Sequence, residues 1–169
     1  MDKRILQQLY ADYGKEILLY LFSLCKDRDM AEDLMQETFE KALLSLSENH
    51  TNMRAWLYIV ARNLCLNAMK RGRRQIFMEE MQCQQTQNNI AEYDILEGLI
   101  KKEQHRMLYQ ALMQLTSPKR EVLQLQYFSG LSLKEIAEVL QISPENARVL
   151  SCRAKKELRA KLEEEGYEI

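Results

Sequence analysis

Residues 52–74, NMRAWLYIVARNLCLNAMKRGRR, constrain this chain more than any other stretch. Six of them are cationic (Arg54, Arg62, Lys70, Arg71, Arg73 and Arg74) and none is acidic. Met53, Leu57, Val60, Leu64 and Ala68 recur at helical spacing, which predicts a helix with one stripe against a core. The only tryptophan, Trp56, shares a second line of that helix with Asn63 and Asn67, and Tyr58 follows two positions on. Gly72, inside the basic cluster, is expected to end the regular helix. Cations neutralise phosphates, and aromatic rings stack on unpaired bases for about 1–3 kcal/mol each, so such a helix suits nucleic acid. Taken alone, the stretch reads equally well as a core helix with a solvated basic end.

Five glycines and two prolines in 169 residues, against abundant Leu, Glu, Gln, Lys and Met, favour helices throughout. The length suits one domain or two small ones. A net charge of −1 excludes a uniformly basic coat, but the charge is segregated. Residues 52–74 carry +6 and 143–162 carry +4, while 26–48 and 76–103 carry −4 each. Cys25, Cys65, Cys83 and Cys152 form no C-x-x-C pair, and His50 and His105 lie near none of them in sequence. Free thiols in a reducing cytoplasm are expected, with no disulfide, metal site or cofactor. The start of the chain has no secretory pattern. The longest apolar run, 17–22, is too short to span a bilayer, so no membrane insertion is expected.

Helices are expected over Ile5–Tyr13 and Glu16–Cys25 with a break near Gly14. Another runs from an Asp29 cap to about Leu46, with Ala31, Leu34, Met35, Thr38, Ala42 and Leu46 inward. Asp33, Gln36, Glu37 and Glu40 line a different, acidic face of that helix. Ser47–Thr51 is a polar loop, and Thr51 or Asn52 can cap the helix that follows. Residues 75–97 are acidic and amide-rich with weak periodicity, the composition of a linker. Helical pattern returns from Leu99 to Leu115, from Pro118 to Phe128, from a Ser132–Glu135 capping box, and from Ser143–Pro144 to about Leu162. In the last of these Ala147, Leu150, Ala154 and Leu158 are expected inward, and Glu163–Ile169 reads as an acidic tail. The last two helices, with a short turn at Gln141–Ile142, form a helix-turn-helix pattern whose second member offers Asn146, Arg148, Arg153, Lys155 and Lys156.

Four segments occur in order: DMAEDLMQETF from Asp29, RAWLYIVARN from Arg54, LSLKEIAEVL from Leu131 and RAKKEL from Arg153. Together they resemble a bacterial sigma-70-family factor of the extracytoplasmic-function group, over nearly the whole chain except linker and tail. The resemblance implies an all-α protein of two small helical domains: a sigma-2 domain at 1–75, a linker at 76–98 and a sigma-4 helix-turn-helix domain at 99–169. It implies a transcription initiation factor, not an enzyme, with core RNA polymerase (its beta-prime and beta subunits) and promoter DNA as partners. An anti-sigma factor is a further expected partner. Asp33, Gln36, Glu37, Phe39 and Glu40 would dock on polymerase. Asn49, Asn52, Arg54, Trp56, Arg62, Asn63, Asn67, Lys70, Arg71, Arg73 and Arg74 would serve the −10 region. Ser132, Lys134, Ser143, Glu145, Asn146, Arg148, Arg153 and Lys156 would serve the −35 region. The chain departs from many relatives at Gln141, where Gly is common, at Val149-Leu150-Ser151, and at Cys152. A stand-alone helix-turn-helix regulator with an N-terminal sensor or dimerisation domain is the alternative. The acidic 33–40 face and the Trp56 helix discriminate, because such a regulator needs neither.

Overall fold

The computed structural model describes the backbone at residues 1–78 and 103–166, and the side chains at 1–72 and 106–166. From residue 79 onward the expected linker lies outside the described residues, as do residues 167–169 of the expected tail. The protein is all-α, and the chain divides into two compact units, Met1–Leu96 and Glu97–Ile169.

In the first unit, α1 spans Lys3–Cys25, α2 Arg28–Ser45 and α3 Met53–Met78, each packed on the other two. α1 is continuous through Gly14, contrary to the expected break. Ile17, Tyr20, Leu21 and Phe22 on it are almost wholly buried. Burying one large apolar side chain contributes roughly 1.5–3 kcal/mol, more than the roughly 1 kcal/mol by which a mid-helix Gly weakens a helix. A methyl at Gly14 would only touch the Tyr10 ring, at 3.8 Å. α2 is capped by Asp27, not Asp29: the Asp27 carboxylate accepts from the Met30 N–H at 3.1 Å. Asp29 falls in the first turn, and Arg28 pairs with Glu32 at 3.0 Å.

α3 also differs from its expected pattern. It does not stop at Gly72. Its buried line is Ala55, Leu57, Tyr58, Ala61 and Cys65; Met53, Val60, Leu64 and Ala68 are only half-buried. Tyr58 is a core residue, its ring edge-on to Tyr20 with centroids 5.4 Å apart.

In the second unit, α4 spans Glu103–Met113 and α5 Ser117–Leu123. α5 runs directly into a π-helical turn, Gln124–Phe128. α6 spans Leu133–Leu140 and α7 Pro144–Glu164, two residues past the expected end. Tyr109, Ala111, Leu112, Val122, Leu123, Leu125, Ile136 and Ala137 form the core. The capping box at α6 is complete: Ser132 Oγ accepts from the Glu135 N–H at 3.2 Å, and Glu135 Oε2 accepts from the Ser132 N–H at 2.7 Å.

The α6–α7 turn has one strained position. Gln141 sits at φ 57°, ψ 46°, the left-handed region. A side chain there costs roughly 1–2 kcal/mol. The Ile142 N–H donates to the Ala137 carbonyl at 3.0 Å, so the turn still satisfies the carbonyls at the end of α6. Gln141→Gly is therefore expected to raise stability by about 1 kcal/mol, read as a higher midpoint of urea denaturation. A lower midpoint would mean that the glutamine side chain itself holds the turn.

Candidate nucleic-acid and partner interfaces

Three surfaces carry the candidate residues. On α2, Asp33, Gln36, Glu37 and Glu40 are all exposed on the side away from Ala31, Leu34 and Ala42. Phe39 leaves this set: it is 5% exposed, its ring edge-on to Tyr10 with centroids 5.0 Å apart, so it is core. The exposed line ends instead on Leu44, 83% exposed, with Leu43 beside it at 40%. Sequence reasoning missed this apolar end, although the signal was present: neither leucine belongs to the inward stripe.

The second surface begins in the 47–52 loop, which its own polar groups fold. The His50 N–H donates to the Ser47 carbonyl at 3.0 Å, the Asn49 N–H to Ser47 Oγ at 3.3 Å, and the Asn52 N–H to His50 Nδ1 at 3.1 Å. Asn52 then caps α3, its Oδ1 accepting from the Ala55 N–H at 3.0 Å. Its side-chain oxygen is thus engaged in holding the helix start. Trp56 follows in the first turn, half-buried, so part of its ring reaches solvent. Asn49, Asn63, Asn67, Lys70 and Arg71 are exposed and Arg62 is half-buried. Arg73 and Arg74 continue on α3 beyond the described side chains. Glu37 of α2 shares a groove with Leu64, Asn67, Lys70 and Arg71 of α3, so the acidic and basic surfaces meet along one edge.

Arg54 does not belong to the basic surface. Its guanidinium reaches Glu16 Oε2 at 3.5 Å and lies 5.4 Å from the centre of the Tyr13 ring. Tyr58 Oη donates to the same Glu16 oxygen at 3.3 Å. Burial pushes the Glu16 carboxyl above its ordinary range, and Arg54 and the Tyr58 hydroxyl oppose that shift without cancelling it. Arg54 thus holds α3 to α1 through a partly buried carboxylate. Arg54→Ala is expected to cost about 1–2 kcal/mol of stability and to leave the salt dependence of DNA binding unchanged. Thermal denaturation and a salt titration check this together. A salt slope lower by about 1, with no loss of stability, would return Arg54 to the phosphate contacts.

The third surface is α7. Ser143 caps it, Oγ accepting from the Asn146 N–H at 3.1 Å, and Pro144 opens its first turn. Ala147, Ser151 and Ala154 face inward. Leu150 and Leu158, also expected inward, are half-buried. The substitution of a polar residue at the inward position is satisfied locally: Ser151 Oγ donates to Gln126 Oε1 at 2.7 Å, from the π-helical turn. That leaves Glu145, Asn146, Arg148, Arg153 and Lys156 exposed, with Lys155 and Arg159 extending the basic face. Val149 and Cys152 make an apolar strip among Arg148, Arg153, Lys155, Lys156 and Arg159. Ser132 and Lys134 are exposed at the start of α6. Tyr127, 58% exposed with Lys155 Nζ 5.6 Å from its ring centre, was not foreseen. A π-helical turn leaves no simple trace in sequence periodicity.

A helix whose N-terminal turn offers Asn and Arg, with cations further along, fits the major groove: amides and guanidiniums reach base edges, and later cations hold phosphates. The Trp56 surface instead offers a ring and amides beside cations, as a single strand requires.

Comparison with known proteins follows the same division. Residues 9–75 match the family model Sigma-70 region 2, and residues 105–158 match Sigma-70, region 4. The RNA polymerase sigma factor YlaC of Bacillus subtilis is 35% identical over 160 residues, 91% of this chain and 90% of that protein. The ECF RNA polymerase sigma factor SigM of the same organism is 28% identical over 156 residues, 92% of this chain and 93% of that one. Among solved structures, the sigma factor RpoE of Bartonella quintana, in complex with the anti-sigma factor NepR, superposes with a TM-score of 0.73. That match has 22% identity and covers 96% of this chain and 98% of RpoE. CnrH, solved with the cytosolic domain of CnrY, gives 0.63 at 22% identity, over 96% of this chain and 90% of CnrH. At that identity these two matches speak for the fold.

Proposed function

The chain belongs to the sigma-70 family of RNA polymerase sigma factors, in its extracytoplasmic-function group, and is a promoter-directing initiation factor; we propose that it works through the three surfaces just described. The alternative of a stand-alone helix-turn-helix regulator gives way, because the chain carries region 2 as well as region 4. The exposed α2 line from Asp33 to Leu44 docks on core polymerase. Trp56, Asn63, Asn67, Lys70 and Arg71, with Asn49 and Arg62 at the margins and Arg73 and Arg74 beyond, hold the melted −10 strand. The Asn146–Lys156 face of α7 enters the major groove at the −35 element, with Ser132, Lys134, Ser143 and Glu145 around its entry. Residues 1–75 and 99–169 act as the sigma-2 and sigma-4 domains, joined by 76–98. The protein is non-catalytic and cytoplasmic; no helix among the described residues is long and apolar enough to cross a membrane. A protein inhibitor of the anti-sigma type is a proposed partner.

The observation that carries this reading is the half-buried Trp56 at a helix start, in line with two exposed amides, Asn63 and Asn67, that lead along the same helix to the exposed cations Lys70 and Arg71. Opening promoter DNA without ATP needs a binder that gains more on unpaired bases than the few kcal/mol per base lost by unstacking. Two modest DNA surfaces on one chain raise each other's effective concentration once polymerase holds both. With a net charge of −1 the free protein binds promoter DNA weakly. The test is reconstitution: core polymerase plus the purified chain is expected to start transcripts at the sites that overexpression induces. Absence of polymerase association, or tight selective promoter binding by the chain alone, would overturn the reading.

A further inference from the structure

The outermost line of α7 is apolar at its middle. Ala147, Ser151 and Ala154 face inward. Successive helical residues turn by about 100°, so Val149, two positions from Ala147 and two from Ser151, points away from both. Glu145, Val149, Cys152 and Lys156, at steps of four, three and four, form the line opposite the core, and all are exposed. Cations stand on both flanks of that line, Arg153 on one side and Lys155 and Arg159 on the other. Val149 and Cys152 line a shallow recess between them, and Val149 is 44% exposed. A single exposed valine is ordinary on a protein surface. One at the centre of a groove-reading helix, between two rows of cations, is set against base edges.

Resting on the assignment of α7 to the −35 element, we propose that Val149, with Cys152 beside it, reads the C5-methyl group of a thymine there. The flanking cations are long and charged, and they serve the phosphates on either side of the groove. Val149 is short and uncharged, so it can touch only what faces the centre of the helix. Base edges in the major groove offer one methyl group, that of thymine. Cys152 is small and weakly polar, and it widens the apolar contact. The pair also discriminates by exclusion. An amino group of cytosine or adenine set against Val149 would lose its water and gain no partner. The central position of the element is therefore a thymine on the strand that Val149 faces.

The experiment uses holoenzyme, core polymerase plus the full chain, on a duplex promoter taken from the mapped start sites. Each −35 thymine, on either strand, is replaced in turn by deoxyuridine, which removes the methyl and keeps every hydrogen-bonding group. At one or two neighbouring positions this is expected to slow open-complex formation about fourfold, the worth of one buried methyl. Val149→Ala is expected to treat thymine and uracil alike at those positions, and Val149→Thr, which keeps one methyl, to retain part of the preference. A folding defect lowers both rates and leaves their ratio unchanged, so the ratio isolates the contact. Three results would overturn the proposal while start-site selection stands. One is thymine and uracil equivalent at every position; another is an unaltered ratio in Val149→Ala; the third is a −35 element with no thymine on either strand. Loss of start-site selection itself would remove the assignment of α7 and the proposal together.

Discussion

Replacing Trp56 with alanine is expected to lower transcription from a duplex promoter about 10- to 100-fold, the equivalent of one stacked base at about 1–3 kcal/mol. The ring is half-buried in the first turn of α3, with Asn52 capping the helix beneath it. The core line of that helix runs through Ala55, Tyr58, Ala61 and Cys65 and does not include Trp56. Stability and polymerase association should therefore change little. The defect has a signature that a folding defect lacks. On a template whose −10 region is already mismatched, the unstacking cost is gone, and the variant should recover most of its activity. Trp56→Phe should retain a large share on both templates, because it keeps a π-face. Equal loss on duplex and mismatched templates would remove Trp56 from strand capture.

The α3 stretch also shows what could and could not be read from the sequence. The second line of that helix, Trp56, Asn63 and Asn67, was legible because it depends only on helical spacing. Asn63 and Asn67 are exposed as expected. The roles of Arg54 and Tyr58 were not legible. Each is set by Glu16, 38 and 42 residues away on another helix, and no local pattern announces that partner. The inward stripe was displaced for a related reason. Small residues, Ala55, Ala61 and Cys65, are buried on α3, and hydrophobic counting favoured the larger Val60 and Leu64 beside them. Gln141 shows the opposite case. Its departure from glycine marked the turn, and the backbone there does take the left-handed conformation. At α2, Asp27 and Asp29 are both plausible caps, and only about half a turn of helix separates the two readings; only the observed bond to the Met30 N–H decides between them.

Reversing charge at Asp33 and Glu37 together, both to lysine, is expected to weaken association with core polymerase by about 100-fold, near 3 kcal/mol. Neither side chain supports the fold. Both are exposed, and the buried line of α2 is Ala31, Leu34, Thr38, Phe39 and Ala42. The melting temperature should therefore hold within a few degrees while binding collapses. Neutral Asp33→Asn with Glu37→Gln should give a smaller loss, since like-charge repulsion is then absent. Leu44→Asp tests the apolar end of the same line. A leucine left 83% exposed gains nothing for the isolated fold, so its removal should be nearly silent in stability. Buried in a complex, the same side chain is worth roughly 1.5–3 kcal/mol, and its loss should slow no step except polymerase capture. Because Glu37 also edges the groove with Asn67, Lys70 and Arg71, strand capture must be measured separately. Saturating polymerase with the reversed variant should restore start-site selection. If activity stays low at saturation, Glu37 belongs to the nucleic-acid surface as well, and the two surfaces are one.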